Sequence, residues 1–434
     1  MARASGRSAG LLLIALALTA APASGAVPRL VIAVDSSASM GGYASGGGCY
    51  AKLWFDVIDG LMGDLDVKGI DSYRLQDDLR PGLPLAELPR WADARKYVGR
   101  NTNIVGFLQD PRIFGPQATA PVLLVSDLEH DAPAGGADCL GRGSVRCVSE
   151  RLASLVARGW HVGIVGFPAT FRGTRYFPEH RPDGTVADLP KFVKGAVPVY
   201  IMVFARDAGE LKQIVSVLAE RLHRCTSGVR SMLLTEVQVP TVTASLQQAL
   251  AEIPQVKAEI GGPCSGKPRG AIALALYDLT GNQAQLDVER DAWPACLTLP
   301  LVVERTTGVD QTTWTVGFKV TGLAQGEAVA AIPSLVLDTG QHSVRSALDL
   351  WLPETLLRRG KKGKATPVNL VMTFRPETTT VPWPDWSYSE VGDKGYETRT
   401  YRTAEILREA VRSATDLAVT RAGEETLLTI KFRN

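Results

Sequence analysis

Arg29-Leu-Val-Ile-Ala-Val-Asp-Ser-Ser-Ala-Ser-Met-Gly41 is the stretch on which the fold turns. A short apolar run rich in β-branched residues ends abruptly at Asp35-Ser36-Ser37-Ala38-Ser39, with glycine close behind. Such a run reads as a buried strand that stops in a loop. Asp35, Ser37 and Ser39 stand at alternate positions in that loop. One carboxylate and two hydroxyls brought together form a hard-oxygen set of the kind Mg²⁺ takes. The same residues also suit a plain turn or a helix cap, and the stretch alone does not choose.

Downstream, Leu53, Trp54, Val57, Ile58, Leu61 and Met62 recur at helical spacing after the Gly41–Gly48 loop. Ser72 to Leu75 reads as a short strand, and Ile104, Phe107 and Leu108 share one face of a short helix. Pro121-Val-Leu-Leu-Val-Ser-Asp127 is a second buried strand ending in a carboxylate. Leu152, Leu155 and Val156 mark a helix stopped by Gly159. Trp160 to Gly166 and Val197 to Ala205 read as further strands. Asp207 and Glu210 then form a capping-box pattern before the stripe Leu211, Ile214, Val215, Leu218, Leu222. Continuous apolar strands alternating with amphipathic helices call for an α/β fold, a doubly wound and mainly parallel sheet covered on both faces. Ligands bind such sheets beyond the carboxyl ends of the strands, where Asp35 and Asp127 both fall.

Residues from about Arg29 to Arg224 resemble a von Willebrand factor type A domain with a metal-ion-dependent adhesion site. The family motif is Asp-x-Ser-x-Ser after the first strand, a Thr in a later loop and an Asp after the central strand. The matching positions are Asp35, Ser37 and Ser39, then Thr102 in Gly99-Arg-Asn-Thr102, then Asp127. The resemblance implies Mg²⁺, or Mn²⁺ or Ca²⁺ in its place, held by these five residues, and a protein partner that offers an Asp or Glu oxygen to the ion. Two departures stand out: Ser126-Asp127-Leu128 replaces the common Thr-Asp-Gly, and the glycine-rich Gly41–Gly48 segment follows the first motif directly. Glu129, His130 and Asp131 follow Asp127 immediately and either extend the acidic site, line a partner surface, or form a solvated loop.

After about Arg230 strand-like runs dominate: Ala271 to Tyr277, Leu297 to Glu304, Thr312 to Val320, Ala328 to Leu337, Val368 to Phe374 and Leu427 to Phe432. One helix near the end turns Ile406, Leu407, Ala410 and Val411 inward. The expected organisation is a leader over 1–26, the α/β domain over 27–226, and a β-rich domain over 227–434, a sandwich with helical additions. The aromatic segment Trp383-Pro-Asp-Trp386 is a partner contact if exposed and core if packed beneath the domain.

Arg3 and Arg7 before the apolar segment Leu11 to Ala20, with small residues at Ser24-Gly25-Ala26, have the layout of a secretory signal peptide cleaved near Ala26. No later run is long enough to span a membrane. A periplasmic or secreted protein of a bacterial envelope is therefore expected, and six cysteines fit an oxidising compartment. A formal net charge of +2 provides no field for nucleic acid. With Cys-x-x-Cys absent and the five His residues scattered, a structural zinc site is not expected. In a doubly wound sheet the loops leaving strand ends share one face, which puts Cys49, Cys139 and Cys147 on the metal side. Cys225 then falls on the opposite side with Cys264 and Cys296, and one bridge within each group is expected. The functional expectation is an exported, non-catalytic binding protein. The alternative is an extracytoplasmic hydrolase with its site in the second half, although no Gly-x-Ser-x-Gly, His-Glu-x-x-His or phosphate loop occurs there.

Overall fold

The computed structural model describes residues 27–129 (except 28), 145–180, 186–235, 239–244, 275–278, 283–287, 295–305, 312–322, 335–338, 341–352, 367–379, 383–389 and 394–432. The expected leader, His130, Asp131, Cys139, Cys264 and the basic run from Arg358 to Lys364 lie outside these residues.

A seven-stranded mixed sheet organises the first half. Its strands are β1 (Leu30–Asp35), β2 (Ile70–Leu75), β3 (Leu79–Pro81), β4 (Val122–Ser126), β5 (His161–His180), β6 (Val186–Ala205) and β7 (Arg230–Leu233). They lie in the order β3-β2-β1-β4-β6-β5-β7. Strand β1 pairs in parallel with β2 and β4, as its unbroken apolar run demands. Alternate residues of β1 serve opposite cores. Ile32 and Val34 face one, with the helical stretch Gly48–Asp64 and helix α7 (Ala208–His223). Val31 and Ala33 face the other, with α4 (Ile104–Gln109), α5 (Pro111–Phe114) and α6 (Val145–Ala157). The Gly48–Asp64 stretch comprises α2 (Gly48–Lys52), a wider π turn (Leu53–Val57) and α3 (Ile58–Asp64), preceded by α1 (Gly41–Gly46). Asp207 caps α7 through Glu210 N at 2.8 Å, and the expected stripe from Leu211 to Leu222 is buried.

The sheet is not mainly parallel as expected: of its six pairings only β1–β2 and β1–β4 are parallel, β3 and β7 pair antiparallel at the edges, and the largest departure lies in β6. It runs antiparallel to β4 and pairs along its whole length with β5 in one long hairpin. Tyr200 is level with Ser126 and Gly166, so the residues of both strands beyond that level project as an arm past the end of β4. Along the arm Phe171, Arg175 and Phe177 face inward while Arg172, Thr174 and Tyr176 are exposed.

The direction of β6 also overturns the expected cysteine pairing. Ala205 lies at the end of the sheet where β4 begins, so α7 climbs back toward the carboxyl ends of β1 and β4. Cys225 therefore arrives on the same side as Cys49, and the two are bridged with Cα atoms 5.4 Å apart. Cys147 is disulfide-bonded as well.

The second half adds a six-stranded sheet and a three-stranded one. The first contains Thr312–Thr321, Val368–Thr379 and Glu425–Phe432, while the second contains Thr241–Ala244, Ala295–Glu304 and Ser343–Leu352. Thr241–Ala244 and Ser343–Leu352 have no counterpart among the expected runs. Packing does not respect a division at residue 226. Strand β7 belongs to the first sheet, and α8 (Thr403–Ala422) buries Ile406, Leu407, Ala410 and Val411 against the core of α6 and β4. No helix among the described residues is long and apolar enough to cross a membrane.

Candidate functional site

Asp35 and Ser126 end neighbouring strands, and the loops that follow converge there. Asp35 accepts from Ser37 N at 2.9 Å, a local turn that folds the loop back over the strand end. The loop before α4 is clamped onto it: Gly99 N donates to Ser36 O at 3.0 Å and Ala38 N to Gly99 O at 2.8 Å. Asn103 caps α4 by accepting from Gly106 N at 2.8 Å. This sets Thr102 so that its hydroxyl donates to Asp35 Oδ1 at 3.0 Å. Ser37 Oγ and Ser39 Oγ lie 3.0 Å apart, and Ser39 donates to Asp127 Oδ2 at 3.0 Å. The five residues singled out from the sequence thus form one connected set.

Oxygen ligands of an octahedral ion at about 2.1 Å are separated by about 3 Å along each edge. The Ser37–Ser39 and Ser39–Asp127 separations match that edge length, so the donor set fits Mg²⁺ in both chemistry and spacing. Among the described residues no three His, Cys, Asp or Glu side chains converge on one point. Such an ion would accordingly be held by hydroxyls and two carboxylates, which leaves it electrophilic.

Burial dominates the electrostatics. Asp35 is 0% exposed and Asp127 1%. Desolvation raises Asp35 above the ordinary carboxylate value, opposed by its bonds from Ser37, Ser126 and Thr102. Asp127 is pushed well above that value, first by burial and then by the negative charges of Glu129 and Asp35, with Arg175 and Glu129 N–H acting against. Two desolvated carboxylates close together gain strongly from a cation.

Two contributors were not among the sequence candidates. Ser126 Oγ donates to Asp35 Oδ2 at 2.7 Å and accepts from Leu128 N at 2.9 Å, which fixes both strand ends at once. Leu128 adopts φ 61°, the left-handed conformation a glycine takes without strain. Arg175 is the other. The alternation Phe171-x-Gly-x-Arg175-x-Phe177 is its signal, placing a guanidinium on the buried face of a strand.

Glu129, a partner-surface candidate from the sequence, is half-buried and engaged within the chain. Its carboxylate pairs with buried Arg175 and accepts from Tyr401 N at 3.3 Å, because the backbone after Asp127 turns it inward under the arm. Trp383 and Trp386 are half-buried, packed against the second core, that of α6 and β4. Trp383 stacks on Tyr200 with ring centroids 6.3 Å apart, and Trp386 meets Tyr200 edge-on at 6.1 Å.

Compared with known proteins, the chain matches no family model and no curated protein.

Proposed function

We propose that the first half is a von Willebrand factor type A-like adhesion module, which binds Mg²⁺ through Asp35, Ser37, Ser39, Thr102 and Asp127. The observation that carries this reading is the connected set of Ser37, Ser39 and Asp127 oxygens at 3.0 Å spacing, beyond the carboxyl ends of β1 and β4. Charge supports it. Asp35 and Asp127, linked through Ser37 and Ser39, and Glu129, held to Asp127 by its own N–H, are faced by Arg175 alone among the contacts described above. A divalent cation balances the two charges that remain.

Bound there, the ion supplies a Lewis-acidic position for an Asp or Glu oxygen of a protein partner. Ser37, Ser39 and Thr102 orient toward it without cancelling its charge. In this reading the protein is a non-catalytic binder, exported after loss of its leader. The Cys49–Cys225 bridge is what a periplasmic or secreted location permits.

The test is calorimetric titration of Mg²⁺ into EDTA-stripped protein, wild type against Asp35→Ala, followed by capture of partners with and without EDTA. Wild type binds and Asp35→Ala does not, while far-ultraviolet circular dichroism stays the same. Equal binding by both proteins rejects the site.

A further inference from the structure

The site does not end at Asp127. Glu129 N donates to Asp127 Oδ1 at 3.1 Å, and the Glu129 carboxylate pairs with Arg175. Arg175 Nη1 donates in turn to the carbonyls of Glu397 at 2.9 Å and Arg399 at 2.7 Å. Tyr401 N closes the circuit on Glu129. These acceptors belong to a C-terminal strap, of which 383–389 and 394–402 are described, lying against the arm at Phe177 and Lys191 and against Tyr200 of β6. Aromatic and hydroxyl contacts seat it: Phe177 meets Tyr388 and Tyr396, and Tyr200 Oη lies 2.9 Å from Thr400 Oγ1. The strap continues directly into α8 and then into strand Glu425–Phe432 of the six-stranded sheet.

We propose that Arg175 and Glu129 form a latch between the cation site and this strap, so that Mg²⁺ binding and strap docking oppose each other. The inference rests on the metal reading above and adds its regulation. With the strap docked, two carbonyls hold the guanidinium in place, and its charge neutralises Glu129 beside Asp127. A fixed positive charge there disfavours a dication. Once the strap leaves, Arg175 loses the acceptors that compensate its burial and Glu129 loses the Tyr401 N–H. The guanidinium then moves toward water, and the freed Glu129 charge strengthens the field on the ion. Reciprocity requires the converse: Mg²⁺ loosens the strap. A pull on the second half is thereby transmitted to the adhesion site through a continuous chain of contacts.

The experiment is hydrogen exchange on the full wild-type chain with EDTA or saturating Mg²⁺, with Mg²⁺ titrated calorimetrically into the same protein. The expected result is faster exchange at residues 396–402 when Mg²⁺ is bound, with 122–126 unchanged. In parallel, Arg175→Met binds Mg²⁺ about ten-fold more tightly than wild type, and Arg175→Met/Glu129→Gln returns toward wild type because the local charge is restored. Should Arg175→Met fail to fold, the wild-type exchange result decides. Mg²⁺ binding with unchanged or slower exchange at 396–402 overturns the latch and leaves the metal reading standing. Absence of any Mg²⁺ binding to wild type overturns both.

Discussion

Ser126 offers a sharp test of how the site is built. It is fully buried, and its hydroxyl is the donor to Asp35 Oδ2 at 2.7 Å while accepting from Leu128 N. Ser126→Thr keeps that hydroxyl. Ser126→Val has the shape of Thr without it, so the extra volume enters both variants and cancels in the comparison. A hydrogen bond to a charged group is worth roughly 1.5–3 kcal/mol, and Val also strands a buried N–H. Asp35 short of a donor either turns or takes a proton, and both weaken its part in holding an ion. At about 1.4 kcal/mol per decade, the bond corresponds to roughly 10- to 100-fold in Mg²⁺ affinity, the range seen when a supporting shell is removed. Calorimetric Mg²⁺ titration of the two variants reads this difference directly, and urea denaturation in Mg²⁺ reads a parallel stability gap of about 2 kcal/mol. Equal Mg²⁺ affinities for Thr and Val would refute the role assigned to the hydroxyl.

Leu407→Ala, at a position fully buried in the core shared with β4 and α6, costs about 3 kcal/mol. The slowest-exchanging amides of 122–126 then speed up about 100-fold, and unchanged exchange there would show that α8 does not belong to the first sheet. Replacing Cys49 and Cys225 together by Ser removes a bridge of sequence separation 176 and lowers stability by roughly 2–5 kcal/mol in a urea titration. The strap carries a pH dependence. Arg230 holds Asp385 through two bonds of 2.6 Å and lowers its carboxyl below the ordinary value. A lowered folded value adds stability above the unfolded one, lost as pH falls through the folded one. Since the pair is largely solvent-exposed, the effect stays under about 1 kcal/mol. Protection factors at 383–389 accordingly fall as pH drops below the ordinary Asp value of about 4, and Asp385→Asn removes that dependence.

What could be read from the sequence alone was local and periodic. The unbroken apolar runs Leu30–Asp35 and Val122–Ser126 announced strands covered on both faces, because each alternate residue must be buried on one side or the other. The stripe from Leu211 to Leu222 behind the Asp207 cap gave a helix with its buried face already defined. The convergence of Asp35, Ser37, Ser39, Thr102 and Asp127 followed from strand ends sharing one edge. Tertiary structure decided everything that depends on pairing across distance. The direction of β6 cannot be read from its composition, since a buried strand is equally apolar in either direction; that direction alone brought Cys225 to Cys49. Glu129 and Arg175 are 46 residues apart, and Arg175 and Arg399 224 apart. No local period encodes such contacts. They form because a desolvated guanidinium takes whatever acceptors the folded chain brings within reach, and here those acceptors lie in the C-terminal strap.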